Sequence, residues 1–142
     1  MLNEEVRRIM AKDPVIVHPD DKISYAVDIM VQEKMQQIPV VEDKKLVGLL
    51  TSYDIWRDER KSHEIEEKTV REVMITNVLV ITPKDKVGTA AELFMDKRFK
   101  TLPVVNLRHE LKGVITAFDI IRHTLKREYP RPILYSEVLN DD

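Results

Sequence analysis

Two short motifs in the chain place a hydroxyl and a carboxylate three residues apart. The first consists of Thr51 and Asp54, and the second of Thr116 and Asp119. Each motif follows a run of glycine and two apolar residues, and each leads into a stretch with helical spacing. We therefore expect both pairs of side chains at a point where a strand ends and a helix begins, beside the unpaired backbone N–H groups of the helix N-terminus.

Two compatible interpretations of this motif remain open. A threonine followed three residues later by an acid is typical of a capping box, although glutamate is the usual fourth residue. The functional alternative is nucleotide binding, because helix N-termini attract phosphates and a carboxylate just past a strand can accept both hydroxyls of a ribose. The two copies then predict a pair of related sites.

Other kinds of site find little support in the composition. The chain has no cysteine, which excludes disulfides, thiol catalysis and cysteine metal sites. The four histidines are far apart and lack the spacing of metal ligands on a helix. No nucleophile–base pairing and no glycine-rich phosphate loop is visible. Asp54 and Asp119 belong to separate sites and form no acid–base pair. We therefore predict no metal site, no catalytic residues, no cofactor and no enzyme activity.

Charge and hydropathy narrow the range of partners and locations. The net charge of −2 gives no electrostatic argument for binding nucleic acid or an anionic membrane. No run of 18 apolar residues is present, so we expect no membrane span. The N-terminus lacks the apolar segment of a secretory signal, and a cytoplasmic location is the default expectation.

The elements that position the two motifs occur twice, because residues 6–57 and 70–122 are an internal repeat with one single-residue gap near His109. The shared positions include a proline–valine–valine run at 39–41 and 103–105, and the glycines at 48 and 113. A repeat of this length indicates two copies of one supersecondary unit. A unit of this size buries too little surface to be stable alone, so we expect the copies to pack together.

Each unit is predicted to have the order β-α-β-β-α. In the first copy, Val15–Val17 reads as a buried strand, and an apolar stripe with helical spacing starts at Ile23. Asp21 and its counterpart Asp85 are candidate N-caps. Residues 38–41 and 46–51 then predict a hairpin, and a last helix begins near residue 52.

The predicted organisation is a first unit with its N-terminal helix at 1–62, a linker at 63–69, a second unit at 70–127 and a C-terminal tail at 128–142. Residues 58–69 are mostly charged, and they form either a solvated extension of the preceding helix or a linker. Thr69 and Glu72 match a capping box, which predicts a short helix there. In the tail, Pro130 and Pro132 predict that the last helix stops near Tyr129.

The order of motifs resembles the CBS (cystathionine-β-synthase-type) domain. The pattern is a strand followed by proline, a helix with a central alanine, an apolar residue with Pro-Val-Val, and then glycine, two apolar residues, threonine and aspartate. Two copies in tandem resemble a CBS pair, also called a Bateman module. The resemblance covers residues 6–122. It implies an α+β fold in which two pseudo-symmetric β-α-β-β-α units pack through their sheets and form two clefts, each built from both copies.

Carried over by position, the resemblance implies two ligand-binding sets. One site would combine Thr51, Tyr53 and Asp54 with Asn77, Leu79, Phe99, Lys100 and Thr101. The other would combine Thr116, Phe118 and Asp119 with Asp13, Val15, Met35, Gln36 and Gln37. For Phe99 and Met35 a core position remains the alternative, and for Lys100 a solvated surface position. If Lys100 faces the ligand, the Asp54 cleft should accept di- and triphosphates better than the Asp119 cleft.

The resemblance also implies a function. A CBS pair binds an adenosyl ligand such as AMP, ADP, ATP or S-adenosylmethionine, and the bound ligand shifts the population of conformations that a partner reads. It further implies a homodimer, in which Trp56 is a natural anchor, and a regulated protein that the sequence does not identify. The alternative is a structural interaction module in which the clefts are vestigial.

Overall fold

The computed structural model describes residues 2–96 and 99–128. Within these residues the order of helices and strands is α1 Ile23–Glu33, β1 Gln37–Glu42, β2 Lys45–Thr51, α2 Ser52–Lys61, α3 Val70–Val73, α4 Val87–Phe94, β3 Thr101–Val105, β4 Leu111–Thr116 and α5 Ala117–Glu128. Two 3₁₀ turns lie at Val6–Arg8 and Ile65–Glu67. The mixed α+β class and the doubled order of elements confirm the prediction. The expected end of the last helix near Tyr129 and the tail lie outside the described residues.

The two strand pairs are antiparallel hairpins with the same register. In β1–β2, Gln37 lies opposite Thr51, and in β3–β4, Thr101 lies opposite Thr116. Each hairpin shifts register after the first valine of the Pro-Val-Val run, at Val40 and at Val104. A bulge of this kind bends the strand and increases its twist. The predicted hairpins are therefore confirmed, and their open ends carry the two threonines of the motif.

The predicted strand at Val15–Val17 is wrong in extent, because it reduces to one parallel bridge. Val17 pairs with Val40 in the first unit, and Ile81 pairs with Val104 in the second. Val17 donates its N–H to the Pro39 carbonyl at 3.1 Å and accepts from Val41 N–H at 2.9 Å. The chain then turns at once, since Asp21 N–H donates to the carbonyl of His18 at 3.1 Å.

The predicted caps of α1 and α4 are also wrong. The helices begin after Lys22 and Lys86, neither of which makes a side-chain cap bond. The Asp21 carboxylate accepts instead from the N–H of His18 at 2.8 Å, and Asp85 accepts from Thr82 N–H at 2.7 Å. Each aspartate therefore closes the turn before its helix, a local bond that such short polar side chains readily make.

The two units exchange their leading segments. Val6, at the start of the first repeat, is fully buried in the core of the second unit with Leu102 and Ile115. Ile65 from the linker and Val70 at the start of the second repeat are buried in the core of the first unit. Each small core is thus completed by chain from outside its own repeat, which explains how units this short remain folded. The sequence boundaries at 62 and 70 stay a prediction.

Residues 58–69 were expected to be either an extension of the preceding helix or a linker, and they contain both. Helix α2 continues to Lys61, and the linker then forms the 3₁₀ turn whose Ile65 is only 3% exposed. The capping box before α3 is confirmed, since Thr69 N–H donates to the Glu72 carboxylate at 2.8 Å.

Backbone bonds tie the hairpins to each other and to the exchanged segments. Leu46 N–H donates to the His109 carbonyl at 3.0 Å, which joins the turn of one hairpin to the turn of the other. At the other end, Leu49 of β2 pairs with Ile75, and Val114 of β4 pairs with Ala11. These contacts agree with the predicted packing of the units through their sheets. Within the described residues, no helix is long and apolar enough to cross a membrane.

Candidate functional site

Thr51 and Asp54 lie where β2 passes into α2, and their side chains hold each other in place. Thr51 is the N-cap of α2, and its Oγ1 accepts from Asp54 N–H at 3.1 Å. The Thr51 hydroxyl donates in turn to Oδ2 of Asp54 at 2.5 Å. Both residues are buried. The capping interpretation is therefore confirmed for Thr51, and the same contacts fix the carboxylate of Asp54.

Arg57 lies one turn further along α2 and contacts the second carboxylate oxygen. Its Nη2 is 3.1 Å from Oδ1 of Asp54, and its guanidinium lies 5.8 Å from the ring centroid of Tyr53. An arginine that is about half exposed adds only about 0.2–1 kcal/mol of stability through such an ion pair. The main effect of Arg57 is geometric, because it restricts the orientation of the carboxylate.

The second motif has a closely related arrangement. Oδ2 of Asp119 accepts from the N–H of Thr116 at 2.9 Å and from its hydroxyl at 3.1 Å, while Thr116 Oγ1 accepts from Asp119 N–H at 3.2 Å. This is a complete reciprocal capping box. Arg122 lies 3.4 Å from Oδ1 of Asp119 and 4.9 Å from the ring centroid of Phe118.

A cavity of about 510 Å³, called the first cavity below, opens beside Asp54. Its size falls within the range of about 300–1,000 Å³ that is typical of small-molecule sites. All eight residues that the resemblance assigned to the Asp54 site line it, namely Thr51, Tyr53, Asp54, Asn77, Leu79, Phe99, Lys100 and Thr101. The structure therefore brings this set together from both units, and its contact with a ligand stays a prediction.

The lining of the first cavity combines apolar walls with few charges. Leu49, Ile75, Leu79 and Phe99 contribute apolar surface, and Asp54 and Lys100 are the charged side chains among the described lining residues. One fixed carboxylate, one cation and an apolar wall suit a ligand with hydroxyls, a negative group and a flat ring.

Gly48 allows the chain that follows α3 to pass close to β2 and reach this cavity. A Cβ at Gly48 would lie 2.8 Å from the Ile75 carbonyl oxygen and 2.7 Å from the sulfur of Met74. Only glycine permits the close crossing that places Ile75, Asn77, Val78 and Leu79 against the cavity. Gly113 has the same role in the second unit, where a Cβ would lie 2.7 Å from the Ala11 carbonyl oxygen. The glycine of the repeated motif is therefore a packing requirement.

The residues assigned to the Asp119 site are divided between different places. Gln36 and Gln37 line the first cavity, beside Asp54. Met35 packs against the core of the first unit, which was its alternative interpretation, and lines a separate groove. Asp13 is exposed and Val15 is half-buried. Because the Ala11–Val114 bridge repeats the Ile75–Leu49 bridge, the backbone brings Asp13 and Val15 towards Thr116 as it brings residues 77 and 79 towards Thr51.

The separate groove lies between α1 and α2 and has a volume of about 410 Å³. It is mostly apolar, with Trp56 at its edge, and is called the α1–α2 groove below. Gln36 and Ser52 line both this groove and the first cavity. The Ser52 N–H donates to the Gln36 carbonyl at 2.8 Å, so one backbone hydrogen bond forms a wall between the two spaces.

Arg57 and Arg122 share a repeat position, for which the sequence favoured a surface or interface arginine over a phosphate ligand. The structure shows both about half exposed, and each contacts the aspartate three residues before it. Sequence reasoning did not assign Leu49, Ser52, Ile75 and Val78 to the first cavity, although each lies within two residues of an assigned one. In the part of the chain that the structure describes, no group of three or more metal-ligating side chains comes together.

Comparison with known proteins agrees with this geometry. The sequence profile of the CBS domain matches the chain twice, over residues 6–55 and 70–126. Inosine-5'-monophosphate dehydrogenase from Aquifex aeolicus (strain VF5) is 34% identical over 136 residues, which is 89% of this chain and 26% of that enzyme. The chain spans about a quarter of the length of the curated relatives it matches first.

Some of the solved structures with a similar fold are complexes with adenosyl compounds. CBSX2, a CBS-pair protein from Arabidopsis thaliana, has a crystal structure in complex with AMP that is 26% identical with a TM-score of 0.77, covering 88% of this chain and 98% of that one. The CBS domain pair of protein MJ0100, in complex with 5'-methylthioadenosine and S-adenosyl-L-methionine, is 27% identical with a TM-score of 0.72, covering 87% and 97%.

Proposed function

The chain belongs to the CBS domain family, and we propose that it is a regulatory module that binds an adenosyl ligand in the first cavity. The observation that carries this proposal is the buried carboxylate of Asp54, fixed by Thr51 and Arg57, at the edge of a cavity of about 510 Å³. The AMP complex of CBSX2 and the S-adenosylmethionine complex of MJ0100 support the ligand class.

In this proposal Asp54 accepts hydrogen bonds from the hydroxyls of the ribose. Its carboxylate is pre-oriented, so the ligand does not bear the entropic cost of ordering it. Lys100 faces the phosphates or another negative group, and Phe99 and Leu79 contact the base. The first cavity provides one cation among its described lining residues, which suits AMP, ADP or ATP through a single phosphate contact. We propose no catalytic role, because Asp54 is the single carboxylate among those residues.

The response to the ligand is proposed to pass through the wall between Ser52 and Gln36. A ligand that fills the first cavity presses on residues that also form the α1–α2 groove, where a partner can read the change. A ligand shifts such an equilibrium only as far as its affinities for the two arrangements differ.

Calorimetry with AMP, ADP, ATP and S-adenosylmethionine tests the binding proposal, together with mass spectrometry of any co-purified ligand. We expect at least one of the four to bind and to raise the midpoint of thermal unfolding. If none gives heat or a thermal shift, the interaction module with vestigial clefts becomes the better explanation. Nucleotide turnover by the pure protein would contradict the non-enzymatic part of the proposal.

The fluorescence of Trp56, the single tryptophan, tests the response. We expect it to change on ligand binding in the wild type. Ser52→Pro removes the N–H that bonds to Gln36, and proline is well tolerated at the first position of a helix. Ser52→Ala is the matched control, since it keeps the N–H. A fluorescence change that survives unaltered in Ser52→Pro would contradict this route.

We also propose a homodimer that associates through exposed helix faces. Large apolar side chains on α2 and α5 remain exposed in the single chain, including Trp56 at 60% and Phe118 at 65%. Such side chains are typical anchors of protein interfaces. Light scattering at micromolar concentration is expected to give twice the mass of the chain, and a clean monomer would exclude this assembly.

A further inference from the structure

Helix α5 carries an exposed apolar stripe with basic residues beside it. Phe118, Ile121 and Leu125 are spaced at i, i+3 and i+7, so they share one face of the helix. Their exposed fractions are 65%, 55% and 51%, respectively. Arg122 and Lys126 directly follow two of these residues in the sequence and are exposed as well. The outer face of α5 is therefore apolar with a positively charged border.

The α1–α2 groove of the first unit has a border of the opposite charge. Its apolar lining comes from both helices and includes Val27, Val31 and Trp56. The charged side chains among its described lining residues are Glu59 and Glu66, both of which are exposed. The groove is therefore apolar along its length and negatively charged at its border.

We propose that this groove binds α5 of a second copy of the chain, so that the homodimer is arranged head to tail. An amphipathic helix that lies in an apolar groove is a common mode of recognition, in which side chains at i, i+3 and i+7 enter the groove. Here Phe118, Ile121 and Leu125 enter it, while Arg122 and Lys126 lie against the acidic border. The inference rests on the proposed function, because it names the two faces through which the proposed homodimer associates.

The charges distinguish this arrangement from the alternative one. In a two-fold symmetric dimer the contact between groove and α5 occurs twice, so both grooves are filled and both stripes are covered. A head-to-head dimer would instead bring Glu59 and Glu66 of one groove against the same residues of the other. It would also bring Lys126 of the two α5 helices together. Like charges that meet in an interface oppose association, so the charge distribution favours the head-to-tail arrangement.

The head-to-tail arrangement connects the first cavity of one copy with the second unit of the other. Gln36 and Ser52 line both the cavity and the groove, and the backbone hydrogen bond between them separates the two spaces. A ligand that changes this wall also changes the surface on which α5 of the second copy lies. The second copy is then the partner that responds to the ligand, and the affinities for ligand and for the second copy are linked.

Charge reversal tests the pairing of the two faces. Glu59→Lys and Lys126→Glu each turn both attractive contacts of the head-to-tail dimer into repulsive ones. Each variant is expected to raise the dimer dissociation constant about threefold to thirtyfold at low salt. The double variant restores opposite charges and is expected to return the constant close to the wild-type value. Analytical ultracentrifugation measures all of these constants.

Lys112→Glu is the matched control for Lys126→Glu, because it reverses the charge of an exposed lysine on β4, outside the proposed contact. It is expected to leave the dimer dissociation constant unchanged. In a head-to-head dimer, each single reversal at Glu59 or Lys126 only exchanges one pair of like charges for another. Single variants that dimerise as tightly as the wild type would therefore overturn the inference.

Cross-linking tests the geometry of the dimer. The chain has no cysteine, so an introduced thiol is the single reactive one. Arg60→Cys places a thiol on α2 next to Glu59, and Lys126→Cys places one on α5. With a short bismaleimide, a mixture of the two variants is expected to form covalent dimers after exchange of subunits, whereas each variant alone is expected to stay unlinked. Covalent dimers formed by either variant alone would overturn the inference.

Addition of AMP tests the link between the cavity and the second copy. AMP is expected to change the dimer dissociation constant of the wild type, and an unchanged constant at saturating AMP would overturn this link. A wild type that remains monomeric at micromolar concentration would instead overturn the proposed homodimer. Failure of the wild type to bind any adenosyl compound would overturn the proposed ligand site, while the cross-linking result would still decide the arrangement of the dimer.

Discussion

The Thr51–Asp54 and Thr116–Asp119 motifs share their sequence pattern, their strand–helix junction and their arginine, but they differ in what the aspartate does. Oδ2 of Asp119 accepts from both the N–H and the hydroxyl of Thr116, whereas Oδ2 of Asp54 accepts from the hydroxyl of Thr51. In both motifs Oδ1 contacts an arginine. Asp119 thus completes a capping box. Asp54 lies against a cavity that both units line.

The helices that follow differ in the same direction. Helix α2 buries Asp54 and Ile55, while within Ala117–Glu128 no residue of α5 is buried. The linker explains part of this difference, because its Ile65 packs between α1 and α2. Identical local motifs therefore reach different environments when different chain segments cover them, and the first copy is the better candidate for ligand binding.

The largest expected effect comes from the two aspartates. Asp54→Ala removes the acceptor of two ribose hydroxyls, each worth about 1.5–3 kcal/mol as a charge-assisted bond, so affinity at the first cavity should fall at least about 100-fold. The lost helix contact should cost only about 1 kcal/mol of stability. Asp119→Ala should leave this cavity intact and abolish any second site. Calorimetry and thermal melts measure both. If Asp54→Ala binds the ligand normally but melts at a much lower temperature, the Thr51–Asp54 motif only caps the helix and does not bind the ligand.

Substitutions of Gly48 and Gly113 are expected to have the next largest effect. Gly48→Ala places a Cβ against the carbonyl oxygen of Ile75, and Gly113→Ala places one against that of Ala11. Each clash should lower the stability of the variant by about 1–3 kcal/mol. Because Ile75 and residues 77–79 line the first cavity, Gly48→Ala should also weaken ligand binding there, whereas Gly113→Ala should not. Denaturant unfolding and calorimetry give the two quantities. Equal losses of affinity would show that the units respond as one body.

Lys100 is expected to have a smaller effect that depends on the ligand. In an Asp119→Ala background, Lys100→Ala should weaken ATP binding by up to about fivefold and adenosine binding hardly at all, because Lys100 is exposed and an exposed ion pair is worth about 0–1 kcal/mol. Raised salt should likewise weaken ATP more than adenosine in the intact protein. Titration of both ligands makes the comparison. Equal losses would show that Lys100 does not face the phosphates.

The smallest effect is expected from the arginines. Arg57→Gln should weaken the ligand by a few-fold, since it leaves Oδ1 of Asp54 less firmly oriented, and it should cost less than about 1 kcal/mol of stability. Arg122→Gln is the matched control and should leave the first cavity unchanged. Calorimetry with AMP distinguishes them, and an equal effect of the two substitutions would remove the geometric role assigned to Arg57.

The elements formed by residues close together along the chain could be predicted from the sequence. Short apolar runs and apolar stripes with a period of 3.6 predicted the hairpins and helices, and the repeat predicted the doubled motif. The resemblance to the CBS domain implied the eight residues that line the first cavity. The predicted caps at Asp21 and Asp85 were wrong. Each carboxylate can accept either from the start of the following helix or from the N–H three residues before it, and the sequence pattern does not distinguish these two hydrogen bonds.

The segments that complete each hydrophobic core are evident only in the folded protein. The exchange that buries Val6 in the second core and Ile65 in the first depends on contacts between residues far apart along the chain, and no periodicity records them. The position of Gln37 beside Asp54 has a more local cause, because the register of β1 against β2 places it opposite Thr51. Long-range packing follows from the shape and burial of whole surfaces, whereas a sequence motif reports the preference of a few neighbouring residues.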